Sequence, residues 1–125
     1  MTLLAVAAGG ALGAVVRYLL AVRLYSELGI GFPWGTLGVN VLGCALLGIV
    51  LGLVEERDAF SSDVRTLLTV GFLGAMTTFS TFIYESWQYM RADDPLRSGL
   101  YVVLSLAIGF AAFAAAHACA VSAAR

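Results

Sequence analysis

Lysine is missing from this chain altogether; its seven basic residues are all arginine. Charge of either sign is scarce, at 12% of residues, and the net charge is −1. A soluble domain carries about twice that charged fraction. No polybasic patch is present, which argues against nucleic acid or anionic lipid headgroups as partners. There is one histidine, His117, in an alanine-rich segment. A lone imidazole cannot build a metal site, so it reads as an interfacial or packing residue. The two cysteines, Cys44 and Cys119, lie in apolar segments with no CxxC partner. That speaks against a disulfide framework or a zinc site; both read as small apolar residues in helix packing. Ser–His–Asp sets, membrane-depth carboxylate pairs and phosphate-binding loops are also lacking, so an enzyme is not expected.

What is there is apolar. Of the 125 residues, 61% are hydrophobic, and the mean hydropathy is +0.93. The apolar residues form runs rather than faces, the mark of an integral membrane protein. Four runs are visible, at about 3–22, 34–54, 66–87 and 99–121. Each has the ~20 residues that a spanning helix needs. The expectation is an all-α, multi-pass membrane protein, with residues 1–125 forming a single four-span domain. The first run lacks a basic region before it and carries Gly9 and Gly10 where a secretory signal is most apolar. It reads as a retained span.

The connections are short. EERDAFSSDVR (55–65) offers Ser62 or Asp63 as a cap for the third span. RADDPLRS (91–98) offers Asp94 as a cap for the fourth, with Pro95 in its first turn. Tyr18, Tyr25, Trp34, Trp87, Tyr89 and Tyr101 sit near segment ends, as an interfacial aromatic belt does. Gly9 with Gly13, and Gly48 with Gly52, are GxxxG pairs that let helix backbones approach closely.

Four spans place both termini and the 55–65 loop on one side, with Arg57, Arg65 and Arg125; the other side carries Arg23, Arg91 and Arg97. Three against three gives the positive-inside rule nothing to act on. Either the chain inserts both ways and pairs antiparallel, or one loop arginine or a partner fixes its orientation. A four-helix bundle fills its centre with side chains. Any pathway for a polar solute is therefore expected between subunits.

The third run holds the chemistry. Thr77, Thr78, Ser80 and Thr81 place four hydroxyls within five residues, with Phe79 and Phe82 interleaved. Polar groups at this depth mark helix contacts or a path for something polar. Gly71 and Gly74 loosen the helix, and Thr and Ser side chains compete for its backbone bonds. The third helix is therefore expected to break at its centre. Half-helix ends offer N–H groups to anions and carbonyls to cations, and in lipid they must be covered by protein or water. Phe79 and Phe82, three apart, share a face. A ring edge is positive and attracts an anion; the bland alternative is two rings that only pack.

Other polar residues lie at span depth. Asn40 can make an interhelical hydrogen bond or offer N–H to a passing anion. Glu85, one turn beyond Thr81, can accept a hydroxyl bond or sit at a vestibule. Tyr101 and Ser105 put two hydroxyls on one face of the fourth helix. Arg17 needs a partner, a carbonyl or Glu85, unless it snorkels outward.

Three motifs occur in order across essentially the whole chain: Gly9-Gly-Ala-Leu-Gly-Ala-Val-Val-Arg-Tyr18, Gly35-Thr-Leu-Gly-Val-Asn-Val-Leu-Gly43 and Gly71-Phe-Leu-Gly-Ala-Met-Thr-Thr-Phe-Ser-Thr-Phe82. Together they resemble the Fluc/CrcB family of small fluoride channels. The resemblance implies a fluoride-specific channel of the cell (inner) membrane that exports fluoride passively and lowers its toxicity. It also implies an antiparallel, dual-topology homodimer with two pores at the subunit interface. Phe79 and Phe82 match the family's pore phenylalanines and Asn40 its pore asparagine. Ser80, Thr81, Tyr101 and Ser105 fall at positions like its polar track, and Glu85 matches a vestibule carboxylate. A structural, non-transported sodium ion (Na+) is implied at backbone carbonyls that correspond to Gly74 and Thr77. Arg17 matches a structural arginine. Ala75 stands where many relatives have a second glycine.

The main alternative is a small multidrug-resistance-type transporter, which shares four short spans and weak charge bias. It needs an acid within helix one, where this chain has Arg17. A non-transporting assembly subunit is the other, and it does not account for the hydroxyls of the third run.

Overall fold

The structure, a computed structural model, describes residues Thr2 to Arg125. It is all-helical, and four helices are long and apolar enough to cross a membrane. The first span is α1, Thr2–Leu28; the second is α2, Trp34–Arg57. The third runs over Ser62–Arg91 in pieces: α3 (Ser62–Thr66), a π-helix (Leu67–Leu73), α4 (Gly74–Met76) and α5 (Phe79–Arg91). The fourth is α6, Pro95–Ala124.

The first helix runs well past residue 22 and takes in Arg23 and Glu27, which pair at 2.9 Å on its exposed end. Leucine and alanine propagate a helix readily, and an exposed i,i+4 ion pair adds a few tenths of a kcal/mol, ~0.3–0.5. Asp94 does cap α6: its side chain accepts from Arg97 N–H at 3.0 Å, and Pro95 stands in the first turn. The cap of α3 differs from expectation. Ser61 holds that position without a side-chain bond, and Ser62 and Asp63 lie inside the first turn.

Both GxxxG pairs mark seams within the subunit. A Cβ on Gly9 would stand 2.5 Å from the Leu67 carbonyl oxygen, and one on Gly13 would stand 2.1 Å from that of Phe72. Hence α1 lies directly on the π-helical segment. The second pair joins α2 to α6, with Gly48 against the Phe113 backbone and Gly52 against that of His117. Arg57 closes the same seam by donating from Nε to the Ala124 carbonyl at 2.7 Å, a cation on a helix C-terminus. His117 lies beside it, 3.0 Å from Glu55 and stacked on Phe113. Cys44 is half-buried and Cys119 exposed, and both are free thiols.

The buried cluster is small: Leu37, Phe82 and Tyr101, with Phe32, Val41 and Val102 against it. Most large apolar side chains point outward, Leu3, Leu12, Leu19, Val103, Leu106 and Phe110 among them. In water such a surface would aggregate; in a bilayer it is the solvated face. Tyr18, Trp34 and Trp87 are exposed. Tyr101, expected in the same belt, is fully buried instead, and Tyr25 also turns inward to bond Glu85.

Candidate functional site

The third span breaks at two residues, Thr77 and Thr78, both extended (φ −90°, ψ 158° and φ −146°, ψ 118°). The break falls just beyond Gly74, which is itself helical (φ −61°, ψ −36°). Seven residues of widened π-type winding, Leu67–Leu73, precede it with α4 between, a rare geometry that recurs at functional sites. The last ladder bond before the gap runs from Thr77 N–H to the Leu73 carbonyl, 3.0 Å. Thr77 adds its hydroxyl to the same carbonyl at 3.0 Å. On the far side Thr78 is the N-cap of α5, its Oγ1 accepting from Thr81 N–H at 3.3 Å. Its hydroxyl also donates to Thr81 Oγ1 at 3.0 Å.

Asn40 of α2 is what the break is built on. Its Nδ2 donates to the Thr78 carbonyl at 3.0 Å, and its Oδ1 accepts from Thr78 N–H at 2.8 Å. One amide thus satisfies both backbone groups of the residue that the helix abandons. Arg17 Nη1 reaches the Thr77 carbonyl at 3.4 Å, so its partner is a carbonyl and not Glu85.

Two clefts meet at Thr78. The first, ≈350 Å³, has Asn40, Gly74, Thr77, Phe79, Phe82 and Ser105 in its walls, with Cys44 beside them. The second, ≈310 Å³, has Arg17, Tyr25, Thr36, Thr81 and Glu85. In the first, the two phenylalanine rings lie 5.8 Å apart at 42°. Phe82 is 6% exposed and sits edge-on to Tyr101, whereas Phe79 is 73% exposed. Ser105 Oγ is buried with no hydrogen-bond partner among the described residues. In the second cleft, Glu85 accepts three hydroxyls: Tyr25 at 2.9 Å and Thr36 at 2.7 Å on Oε1, and Tyr101 at 2.8 Å on Oε2.

The residues singled out from sequence are therefore divided. Asn40, Phe79, Phe82 and Ser105 share one cleft; Thr81 and Glu85 share the other. Tyr101 stands behind Phe82, its hydroxyl committed to Glu85. Ser80 is exposed, and its only polar neighbour is the Thr78 hydroxyl at 3.5 Å. Thr36 and Tyr25 escaped the sequence reading. Thr36 is one turn before Asn40 on the same face, a spacing that could have found it. Nothing local marks Tyr25, whose partner is 60 residues away.

The model for the CrcB-like (Camphor Resistance, CrcB) family matches residues 4–117. The chain belongs to the CrcB family. Curated relatives agree. It is 48% identical over 101 residues to the fluoride-specific ion channel FluC of Hahella chejuensis, covering 81% of this chain and 80% of that one. The FluC of Geobacter sulfurreducens is 44% identical over 107 residues, 86% of each chain. That of Shewanella sp. (strain ANA-3) is 45% identical over 106 residues, 85% of each. With family membership and four apolar spans, this CrcB protein is a multi-pass cell-membrane protein.

Proposed function

We propose that this chain is a fluoride-specific ion channel of the inner membrane that lets fluoride leave the cell passively and so lowers its toxicity. Its relatives' identity as fluoride-specific ion channels supports the reading, and one observation in the molecule carries it. At the break, a phenylalanine pair flanks a cleft whose wall holds a buried hydroxyl, Ser105 Oγ, with no hydrogen-bond partner among the described residues. A donor left open at such depth costs about 1–3 kcal/mol. An anion in the cleft recovers it. Fluoride is small and strongly hydrated, so a narrow dry path must replace its water with hydroxyl, amide and ring-edge donors. Tyr101 and Asn40 act differently: the Tyr101 hydroxyl already serves Glu85, and one of the two Asn40 N–H donors already serves the Thr78 carbonyl. Tyr101 shapes the path, while Asn40 keeps a second N–H to offer the ion.

The working unit in this reading is an antiparallel homodimer with dual topology. The break supports it, since the extended backbone at Thr77 and Thr78 must be covered by protein or water at membrane depth, and the neighbouring Phe79 is 73% exposed on the subunit. The even split of arginines between the two sides allows both insertions. The same reading puts the structural sodium ion on the carbonyls of Gly74 and Thr77. Backbone carbonyls at a helix break are suitable donors for such a cation. No N–H across the break reaches the Gly74 carbonyl, and Arg17 holds that of Thr77 only at 3.4 Å. Two carbonyls do not fill a coordination shell, and in the proposed dimer the same carbonyls of the second copy add to them. When bound, the ion supplies a fixed positive charge that favours an anion nearby. The multidrug-type alternative finds no support: the only acid of α1, Glu27, lies at its exposed end and is paired with Arg23.

Liposomes loaded with fluoride and carrying the purified protein are expected to lose fluoride rapidly and chloride hardly at all. Folded protein without fluoride flux ends the reading. Phe82→Ile should cut the flux about ten-fold or more, matching ~1.4 kcal/mol of ring-specific interaction, while leaving the dimer's elution unchanged. Cysteine crosslinking at the subunit contact should trap antiparallel pairs; only parallel pairs would refute dual topology.

A further inference from the structure

Tyr25 performs a task that neither the motifs nor the clefts alone assign. It stands near the end of α1, where side chains could turn out to the interface. Instead its ring lies flat on Gly35 in the first turn of α2. A Cβ at Gly35 would fall 2.3 Å from Tyr25 Cε2. Seated there, the ring aims its hydroxyl at Glu85 Oε1, 2.9 Å away. Glu85 is only half-buried and lines the second cleft, beside Arg17 and Thr81. It is held from three elements at once: Tyr25 on α1, Thr36 on α2 and Tyr101 on α6. Two carboxylate oxygens offer about four acceptor sites, and three of them are filled.

We propose that Tyr25 is a positioning residue for ion passage, a tether that fixes the Glu85 carboxylate at one place in the wall of the second cleft. The inference rests on the fluoride-channel reading. A carboxylate carries the same sign as the permeating ion. Like charges a few ångströms apart repel strongly at the reduced effective dielectric of a partly exposed site. Its position therefore matters more than its presence. Held by three hydroxyls, it spends its charge on them. Freed of the Tyr25 hydroxyl, Oε1 keeps Thr36 alone, and the carboxylate is less firmly held within the cleft. Tyr101 packs edge-on against Phe82, so changing it would also disturb that ring, whereas Y25F removes a single hydroxyl.

The test compares fluoride efflux from liposomes for the unmodified protein, Y25F, E85Q and the double variant. Y25F keeps the ring on its glycine seat and loses only the hydroxyl. Its flux is expected to fall about five-fold, the worth of one hydrogen bond. If the loss acts through the charge of Glu85, the double variant should match E85Q within two-fold or so, since the effects of residues in one network do not add. Unmodified flux from Y25F overturns the tether. So does a double variant slower than E85Q by the full Y25F factor, which would mark Tyr25 as a packing residue. Should E85Q be too slow to measure, Y25F with Thr36→Val decides. Loss of both Oε1 donors is expected to exceed the product of the single losses, and a simple product overturns the proposal. Absence of fluoride flux from the unmodified protein would refute the channel reading instead, so the two failures are distinct.

Discussion

Replacing Asn40 with leucine is expected to lower fluoride flux at least about a hundred-fold, equivalent to ~2.7 kcal/mol. The amide closes both backbone groups of Thr78 at once, at 2.8 and 3.0 Å. Leaving two buried backbone groups bare costs roughly 2–6 kcal/mol. The molecule has a cheaper outcome. With the clamp gone, Thr78 N–H can return to the Gly74 carbonyl and heal the helix. Side-chain hydrogen bonds between membrane helices average only ~0.6 kcal/mol for this kind of reason: the alternative state finds partners too. The stability loss should therefore be modest and the functional loss large. A healed helix swings Phe79 and the Thr78 cap off the cleft, and the path is lost with them. Aspartate at the same position accepts from Thr78 N–H but cannot donate to its carbonyl, and it adds a negative charge. It too should be inactive. Liposome efflux together with thermal unfolding in detergent checks both halves, and ordinary flux from the leucine variant would remove Asn40 from the break.

The second large effect concerns folding. Gly13→Val should give little or no monodisperse protein, a loss of about 4–5 kcal/mol or more. Overpacking a side-chain core costs about 1–3 kcal/mol, because neighbours can shift rotamers. Here the obstacle is backbone. A Cβ would lie 2.1 Å from the Phe72 carbonyl oxygen and 2.9 Å from its carbon. Only lifting α1 off the π-helical segment relieves the clash, and that segment holds the break in place. Gly10→Val is the control, since a Cβ there meets nothing within 4 Å in the subunit. Size-exclusion yield and melting temperature should separate the two. Equal behaviour would show that α1 does not rest on the third span as described.

Much of this was legible in the residues. The four spans follow from run length, the cap of α6 from Asp94-Pro95, and the two seams from glycine spacing. The break was legible too, because hydroxyls crowd where a plain span needs none. Its position was not. The loosening glycines are Gly71 and Gly74, yet Gly74 stays helical and the gap opens at Thr77 and Thr78. Glycine permits a distortion, but the partner that satisfies the freed groups decides where it falls. Asn40 reaches Thr78.

The polar residues show the same division. Sequence brought Asn40, Thr81, Glu85, Tyr101 and Ser105 forward as polar groups at membrane depth, a property of type and position alone. Which of them keeps an open donor depends on neighbours far along the chain. Tyr101 gives its proton to Glu85, while Ser105, one turn further on the same helix, gives its proton to nothing. Tyr25 looked like an interfacial aromatic and became part of the site because Gly35 leaves room for its ring. Composition and periodicity by themselves determined that this chain crosses a membrane four times and breaks its third span among hydroxyls. Only the packing of α1 and α2 against that span decided where the break falls and which hydroxyl stays free, because hydrogen bonds reach about 3 Å and are settled in space, not along the chain.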